Sequence, residues 1–332
     1  MKLRIALLSG LATTAMLTAA GPSTAANLKI GYLAASSQNG FNNAIYQGIQ
    51  QEAKALGGVD VEIVDGAFDS TKQYSQVEDF AASKKYDGII ITPNDTVGIA
   101  PALAEATAAG VKVVTTLFPV GPNLSDMQPQ VKGLTTTVAD DPVVGATLQA
   151  QAVAQYCASK NPCNVVVIVG QLIYPFDNLR NKVFQQVLGQ HPNIKIVATG
   201  EGNYDPTKSE QVMEDILQAH PHVDAVLSNA DQHLVGVENA LTDAGIDPST
   251  VYLMGGGADQ IAIDDIKAGK IKATLAQNPL STGKAALKDI VTTLKGGTAP
   301  TWEAPSQLGA APALIDKAWL DAHPDYKAEW QG

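Results

Sequence analysis

The sequence predicts an α/β protein of two similar lobes, each built on a doubly wound parallel sheet. Short runs rich in Val and Ile alternate with stretches at helical spacing, which is typical of parallel sheets covered by helices on both faces. The alternation occurs as two similar series along the chain. The length of 332 residues also exceeds what a single hydrophobic core usually holds.

The predicted strands fall into two series of four. The strands of the first series cover residues 29–33, 61–64, 88–92 and 112–116, and those of the second cover residues 164–169, 194–198, 225–228 and 251–254. Between the strands, apolar residues recur at helical intervals; Ile45, Ile49 and Leu56, for example, mark one buried helix face. A last helix is predicted over 282–294. The Pro-rich tail that follows, ending in Trp330, is long enough that it must pack on the lobes or cross between them.

Two short segments recur at nearly the same spacing and support a duplicated fold. The Asp-Ser-Thr-Lys segment at 69–72 returns as Asp-Pro-Thr-Lys at 205–208, an offset of 136 (205 minus 69). The Asp-Gly-Ile-Ile segment at 87–90 returns as Asp-Ala-Val-Leu at 224–227, an offset of 137 (224 minus 87). An Asp before a helix accepts hydrogen bonds from the unpaired N–H groups of its first turn. The first segment and its copy are therefore both predicted to begin a helix.

The first 26 residues have the pattern of an export signal. Lys2 and Arg4 precede an apolar stretch over 5–20, and the small residues at 23–26 suit cleavage near Ala26. A membrane anchor is the alternative interpretation, but the uninterrupted apolar part is shorter than the ~20 residues that span a bilayer. We therefore expect an exported, periplasmic protein. Its lobes are predicted to comprise residues 27–139 plus 278–306 and residues 140–277 plus 307–332.

The charge balance argues against a nucleic-acid partner. The chain has 22 Lys and Arg against 33 Asp and Glu, for a net charge of -11, and losing the two cations of the signal leaves 20 minus 33, or -13. A nucleic-acid-binding protein normally carries a basic stripe that displaces counterions from phosphates. Because 45% of the residues are hydrophobic, the chain has enough apolar side chains to fold into globular lobes. We expect a monomer.

The two cysteines, Cys157 and Cys163, lie where a predicted helix turns into a strand. In an oxidising compartment this spacing favours a disulfide. A metal site is the alternative, but two thiolates with no nearby His do not complete a zinc coordination shell.

Motifs for catalysis are missing from the sequence. It has no Gly-x-Ser-x-Gly elbow, no Gly-x-Gly-x-x-Gly after the first strand and no Walker motif. The glycines at 255–257 could approach a phosphate, but a close-backbone turn is the stronger interpretation. His220 and His222 could form a metal pair but fit a solvated turn better, and the acidic pairs at 140–141 and 264–265 fit helix caps or solvated faces. We expect no enzyme activity, no cofactor and no bound metal.

The segments that follow the predicted strands are rich in amides, hydroxyls and aromatic rings. Open parallel sheets bind ligands at the carboxyl ends of their strands. Amides and a guanidinium hydrogen-bond a neutral polyhydroxylated ligand, and aromatic rings stack on its C–H faces. The predicted ligand-binding residues are Asn39, Phe41, Asn42, Asn94, Phe118, Asp140, Tyr174, Arg180, Tyr204, Asn229, Asp231 and Gln277.

Over essentially the whole mature length, the chain resembles the ribose/galactose-type (type I) periplasmic binding proteins of ABC transporters. The resemblance is carried by residues 29–33 through 39–41, 87–95, 110–114, 178–186, 223–231 and 273–277. It implies two lobes joined by a multi-strand hinge, capture of a small neutral sugar or polyol by hinge closure, and delivery to a membrane permease. An alternative function within the same fold is a sensor that presents its ligand to a chemoreceptor or a sensor kinase. DNA-binding repressors share the core, but the export signal stands where their helix-turn-helix would be.

The resemblance also implies individual roles. Asn39 matches the family's ligand-binding amide, Phe41 a stacking aromatic and Arg180 the hydroxyl-binding guanidinium. Tyr204 matches an aromatic wall, and Gln277 falls at a hinge position that also reaches the ligand. The family's Asn-Asp pair corresponds to Asn229 and Asp231, here separated by one alanine.

Three departures from the family pattern make the expected ligand less polar than an ordinary pyranose. Asn42 stands where a second aromatic often follows, Leu117 and Phe118 replace an Asp-Arg pair, and Gly257 replaces an Asp. Losing charge-assisted hydrogen bonds disfavours ribose or galactose in pyranose form. An open-chain polyol, a deoxy sugar or a cyclic alcohol is favoured instead.

Overall fold

The computed structural model describes residues 26–332, in which twelve strands form two sheets flanked by ten α-helices. The predicted export signal lies outside the described residues except for Ala26. The strands are β1 (Leu28–Ala34), β2 (Val59–Asp65), β3 (Gly88–Ile91), β4 (Lys112–Thr116), β5 (Thr136–Val138), β6 (Cys163–Val169), β7 (Ile194–Glu201), β8 (Ala225–Ser228), β9 (Tyr252–Gly257), β10 (Ile271–Ala276), β11 (Trp302–Glu303) and β12 (Leu314–Asp316). The helices are α1 (Gly40–Leu56), α2 (Ser70–Ser83), α3 (Ala100–Ala108), α4 (Pro142–Cys157), α5 (Pro175–Leu188), α6 (Pro206–Ala219), α7 (Asp231–Asp243), α8 (Gln260–Ala268), α9 (Pro279–Leu294) and α10 (Lys317–Ala322).

The two sheets have the same topology. Their strand orders are β2-β1-β3-β4-β5-β11 and β7-β6-β8-β9-β10-β12. All pairings are parallel except that of β12 with β10, which is antiparallel. In each sheet the order reverses between its first and third strands, so the helices cover both faces. The predicted fold class, two similar doubly wound lobes, is confirmed.

Burial follows the apolar pattern of the sequence with one exception. The three isoleucines of β3 at 89–91 are fully buried, as expected for a central parallel strand. On α1, Ile45 and Ile49 are also fully buried, but Leu56 is 38% exposed. Leu56 is the last residue of the helix, where the chain turns away at Gly57, so the predicted buried face ends one turn earlier.

The repeated Asp residues begin equivalent helices. The carboxylate of Asp69 accepts from the backbone N–H groups of Thr71 at 2.8 Å and Lys72 at 3.0 Å at the start of α2. The carboxylate of Asp205 accepts from the N–H of Lys208 at 2.7 Å at the start of α6. The same segment therefore caps the same helix in each lobe.

Three connections join the lobes and are hydrogen-bonded to one another. They run from β5 to α4, from β10 to α9 and from β11 to β12. The carboxylate of Asp140 accepts from the N–H of Ser306 at 3.0 Å and from its Oγ at 2.6 Å. The Nδ2 of Asn278 donates to the carbonyl of Pro305 at 2.9 Å. These bonds tie the three connections into one hinge; the residue bounds assigned to the lobes from the sequence stay a prediction.

Cys157 ends α4 and Cys163 begins β6, and their sulfur atoms are bonded, with the two Cα atoms 5.6 Å apart. The bond closes the turn between this helix and the central strand of the second sheet. No helix within 26–332 has the length and apolar composition needed to cross a membrane.

Candidate functional site

A cavity lies between the lobes, where the carboxyl ends of the two sheets face each other. It is lined by Ala35, Asn39, Phe41, Asn42, Phe68, Thr92, Pro93, Asn94, Leu117, Phe118, Gln171, Tyr174, Phe176, Asp177, Arg180, Tyr204, Asn229, Ala230, Gln232, Gly256, Gln277 and Trp330. The volume open to the centre of a water molecule is about 70 Å³. At roughly 10–15 Å³ for each water, this space suits a molecule with a single small ring.

The first lobe contributes amides that are held by their own neighbours. Asn39 caps α1, and its Oδ1 accepts from the backbone N of Asn42 at 3.2 Å and from its Nδ2 at 3.0 Å. The Oδ1 of Asn42 accepts from Tyr32 Oη at 3.1 Å and from the N–H of Ala35 at 3.2 Å. The Nδ2 of Asn94 donates to the carbonyl of Ala35 at 3.3 Å. This network fixes the orientation of all three amides at the cavity wall.

The second lobe contributes a buried cluster centred on Asp177. Its Oδ1 accepts from Arg180 Nη2 at 2.5 Å, from Tyr204 Oη at 2.5 Å and from Asn229 Nδ2 at 3.2 Å. Its Oδ2 accepts from the N–H of Gln171 at 2.7 Å. Asp177 and Arg180 are only 3% and 7% exposed, so this ion pair is nearly excluded from water. Four groups on separate segments are thereby locked in one geometry.

Two polar atoms of this cluster have no partner within the described part of the chain. They are the Nε–H donor of Arg180 and the Oδ1 acceptor of Asn229, both buried. A buried polar group without a hydrogen bond is costly, so such groups normally find a partner. A ligand hydroxyl is complementary to the pair, because it can accept from Nε and donate to Oδ1. The guanidinium carbon of Arg180 also lies 4.5 Å from the centre of the Phe176 ring.

His233 supports the cluster from behind as a neutral group. Its Nε2 accepts from the backbone N–H of Tyr204 at 2.8 Å, and its Nδ1 lies 2.9 Å from Ser228 Oγ. Burial, with the nearby charge of Arg180, lowers the pKa of His233 to about 3. Burial also raises the pKa of the Tyr204 phenol, which therefore stays protonated and donates to its carboxylate partner.

Aromatic rings make up much of the remaining wall. They are Phe41, Phe68 and Phe118 from the first lobe, Tyr174, Phe176 and Tyr204 from the second, and Trp330 from the C-terminal tail. Across the cleft, Phe118 and Phe176 lie with ring centres 3.7 Å apart, and Phe68 stacks on Tyr204 at 5.9 Å with 21° between the ring planes. Such rings offer flat apolar surfaces to the C–H faces of a ligand ring.

Hydrogen bonds also cross the cleft. Tyr174 Oη donates to the carbonyl of Phe68 at 2.6 Å, and Asn39 Nδ2 donates to Gln232 Oε1 at 3.3 Å. The first residue of each pair and its acceptor belong to opposite sheets. In this arrangement the lobes contact each other directly on both sides of the cavity.

The cavity carries no net charge. Among the described residues that line it, Asp177 and Arg180 alone bear formal charges, and they pair with each other. An isolated ligand charge would have no counterion here, and burying an unpaired charge is strongly unfavourable. The electrostatics therefore suit an uncharged molecule.

Comparison with known proteins identifies the family. The sequence profile described as "Periplasmic binding protein domain" matches residues 30–298. The chain belongs to this periplasmic binding protein family. It is 32% identical over 270 residues to the ribose import binding protein of Bacillus subtilis (strain 168), covering 80% of this chain and 83% of that protein. It is 29% identical over 267 residues to the D-apiose import binding protein of Paraburkholderia graminis, covering 80% of each.

Solved structures agree with this assignment. The Caulobacter myo-inositol binding protein, bound to myo-inositol, matches with a TM-score of 0.78 at 26% identity, over 89% of this chain and 95% of that one. A galactofuranose binding protein matches in fold, with a TM-score of 0.78 at 23% identity over 90% of this chain and 98% of that one. The resemblance inferred from sequence is confirmed: this periplasmic binding protein is a substrate-binding component and not an enzyme.

Most of the predicted ligand residues of this periplasmic binding protein come together in the cavity. The predicted residues that line it are Asn39, Phe41, Asn42, Asn94, Phe118, Tyr174, Arg180, Tyr204, Asn229 and Gln277. Asp140 and Asp231 do not line it, which corrects their predicted placement. The carboxylate of Asp140 is turned toward Ser306 in the hinge.

Asp231 lies behind the cavity wall. Its two carboxylate oxygens each lie 2.8 Å from the Oγ1 of Thr274, and Oδ2 accepts from the N–H of Asp259 at 3.3 Å. Burial and the neighbouring Asp259 carboxylate raise the pKa of Asp231 well above its usual value. Strand β9 runs to Gly257, beyond the predicted end at 254. A Cβ on Gly255 would lie 2.0 Å from Asp231 Oδ1, so close packing explains this glycine.

Several cavity residues were missed, and for two of them the sequence held a signal. Phe68 lies 136 residues before Tyr204, the same offset as the repeated capping segments, and both have positive φ, +51° and +57°. Asp177 lies three residues before Arg180 on one helix, a spacing that brings opposite charges together. For Phe176, Gln232 and Trp330, the sequence pattern gave no comparable signal.

Proposed function

We propose that this exported protein captures one small neutral sugar or polyol between its lobes by hinge closure and delivers it to an ABC transporter permease in the membrane. The observation that carries the proposal is the uncharged cavity, lined from both lobes, in which a buried donor and a buried acceptor await a hydroxyl group. Relatives named for ribose and D-apiose import support the class of ligand and the transport role.

The composition of the wall narrows the ligand. The amide oxygens of Asn39 and Asn42 already accept hydrogen bonds within their own lobe, so the polar recognition falls mainly to Arg180 and Asn229. The rest of the surface is largely aromatic. A ring with few hydroxyls on one edge and a C–H face on the other fits this division, as in a cyclitol, a deoxy sugar or a furanose. A short open-chain polyol is the second ligand class that fits.

Closure follows from contacts made by both lobes. A ligand shifts an open–closed equilibrium only through differential interaction with the two states. A ligand between the lobes contacts the Arg180 cluster on one side and the rings of Phe41 and Phe118 on the other, so the closed form is the one it stabilises. The bonds from Tyr174 to Phe68 and from Asn39 to Gln232 form only when the lobes meet.

A binding screen tests the ligand class. Mature protein is screened by thermal shift against sugars, polyols, cyclitols and charged sugar acids, and positive compounds are titrated by calorimetry. A ligand that binds only the native state raises the melting temperature. We expect neutral compounds to bind and sugar acids not to. Binding restricted to charged compounds, or steady chemical conversion of a bound sugar, would contradict the proposal.

Variants test the position of the site. Arg180→Ala is expected to weaken binding by tens-fold or more, because a hydrogen bond to a charged donor is worth roughly 1.5–3 kcal/mol. Lys182→Ala removes an exposed cation from the same helix and is the matched control, with unchanged affinity expected. Equal affinity in the Arg180→Ala protein would remove this residue from the site. Delivery is tested by adding ligand-loaded protein to the reconstituted permease and measuring stimulated ATP hydrolysis.

A further inference from the structure

The last five residues, 328–332, form a strap that contacts both lobes. On the second lobe, the N–H of Ala328 donates to Gln260 Oε1 at 3.1 Å, and the N–H of Gln260 donates to the carbonyl of Trp330 at 3.0 Å. On the first lobe, the carboxylate of Glu329 accepts from the N–H of Ser281 at 2.9 Å and from the Oγ of Ser281. The strap therefore bridges helices α8 and α9, which pack on different sheets.

Trp330 itself lies between the lobes and reaches the cavity. Its side chain is 5% exposed, packs edge to face on Phe41 with ring centres 5.3 Å apart, and lines the ligand cavity. Its Nε1–H donates to the carbonyl of Gly257 at 2.8 Å. Gly257 has φ +125°, and a Cβ there would lie 2.9 Å from Trp330 Cζ2, so the second lobe leaves room for the indole. One face of this ring belongs to the wall that a ligand meets.

The charges of the strap favour its position. Glu329 accepts hydrogen bonds in the first turn of α9. The end of the chain lies against the first residue of α1, since a Cβ on Gly40 would lie 2.4 Å from Gly332 O. Both negative groups thus face the N-terminal ends of first-lobe helices, where the helix dipole stabilises anions. The attachment to the first lobe is electrostatic as well as apolar.

We propose that this strap is part of the ligand-binding machinery: Trp330 supplies the surface on which the ligand ring packs, and the strap joins the lobes in the closed form. The inference rests on the proposed function and adds a binding residue from outside the two sheets. It assigns to the C-terminal tail a role in selecting ligands with a flat apolar face.

Three variants test the strap by calorimetry with D-ribose, D-apiose and myo-inositol as probes. For whichever probe binds the wild-type protein, Trp330→Ala and a chain ending at Lys327 should weaken binding by about 10-fold or more, as for a buried aromatic anchor. Trp330→Phe should keep most of the affinity. The control Trp319→Ala removes an indole that packs on His323 and Tyr326, away from the cavity, and should change affinity by less than about 2-fold.

Fluorescence provides a readout that does not depend on a truncated side chain. The chain has three tryptophans, so Trp302→Phe with Trp319→Phe leaves Trp330 as the sole indole reporter. Its emission should change saturably with the dissociation constant found by calorimetry. The matched protein that keeps only Trp319 should show no such change.

The outcomes separate this inference from the proposed function. If wild-type protein binds a probe while the Trp330→Ala protein binds it equally well, or if Trp330 emission is unaffected by ligand, the strap proposal alone is overturned. If the wild-type protein binds none of the probes or the other neutral compounds of the screen, the proposed function fails and the strap proposal fails with it.

Discussion

The ion pair between Asp177 and Arg180 offers the sharpest test of how the site is held together. The perturbation is a double-mutant cycle with Asp177→Asn, Arg180→Met and the two combined. The two side chains are 4% and 9% exposed, and their closest approach is 2.5 Å. Removing one partner of such a pair leaves the other charge buried without compensation, which generally costs about 3–5 kcal/mol of unfolding free energy.

The neighbouring hydrogen bonds predict unequal effects for the two single variants. In Asp177→Asn, Arg180 keeps Tyr204 Oη as an acceptor at 2.6 Å but loses its counterion, so we expect the full loss of about 3–5 kcal/mol. In Arg180→Met, the carboxylate still accepts from Tyr204, Asn229 and Gln171, so a smaller loss of about 1–3 kcal/mol is expected. In the double variant no charge is left unpaired, and the loss should be no larger than that of Asp177→Asn alone.

Urea unfolding at neutral pH, followed by circular dichroism, measures the cycle. The control cycle uses Lys317 and Asp321, an exposed pair on α10 with side chains 55% and 61% exposed, for which a coupling below about 0.5 kcal/mol is expected. Additive losses at Asp177 and Arg180, or a coupling no larger than that of the control pair, would refute the reasoning.

Three further changes have defined outcomes. Replacing Cys157 and Cys163 with Ser should lower the unfolding free energy in urea by about 2 kcal/mol, because the open chain gains conformational freedom when unfolded. Burial raises the pKa of Asp259 to about 6 from its usual 3.8, so the folded protein binds more protons than the unfolded chain between these values. Its contribution to stability therefore falls as the pH rises through that window, and Asp259→Asn should flatten the pH profile of the melting temperature there. Gly255→Ala should destabilise by about 1–3 kcal/mol in the same urea assay, because its Cβ would lie 2.0 Å from Asp231 Oδ1.

Each of these has an outcome that would contradict it. A Cys-free protein as stable as a reduced wild-type protein is expected, and one as stable as the oxidised protein would contradict the disulfide's contribution. Asn at 259 still accepts the N–H of Ala262, so an unchanged pH slope could not be blamed on a lost helix cap. Gly145→Ala on α4 is the control for Gly255→Ala, since its Cβ meets only the movable tip of Leu275, at 3.0 Å. Equal losses at the two glycines would contradict the packing argument.

The fold was largely predictable because its signals are local. The strand runs, their helical intervals and the capping Asp residues at 69 and 205 each depend on nearby residues only, and the structure has them in equivalent positions. The short strands β5, β11 and β12, of two or three residues each, were not predicted. They carry too few residues for a periodic pattern and are stabilised by pairing with strands far along the chain.

The site was predictable in its position but less so in its detail. The rule that parallel sheets bind ligands at their carboxyl ends identified the segments from which most cavity residues come. It could not tell that Asp177, rather than Asp231, would pair with Arg180, because that depends on which way each carboxylate turns. Trp330 lies far from any strand end in sequence, and its place in the cavity depends on how the tail crosses the assembled lobes.

The duplication is symmetric in backbone and asymmetric in chemistry, and this difference assigns the two lobes different tasks. Phe68 and Tyr204, equivalent by the repeat, stack on each other across the cleft. The unpaired polar atoms, however, are both on the second lobe, at Arg180 and Asn229. A ligand can thus make its hydroxyl contacts with an open second lobe alone. The contacts that it gains on closure come from the first-lobe rings and Trp330, so apolar surface on the ligand determines how strongly closure is favoured.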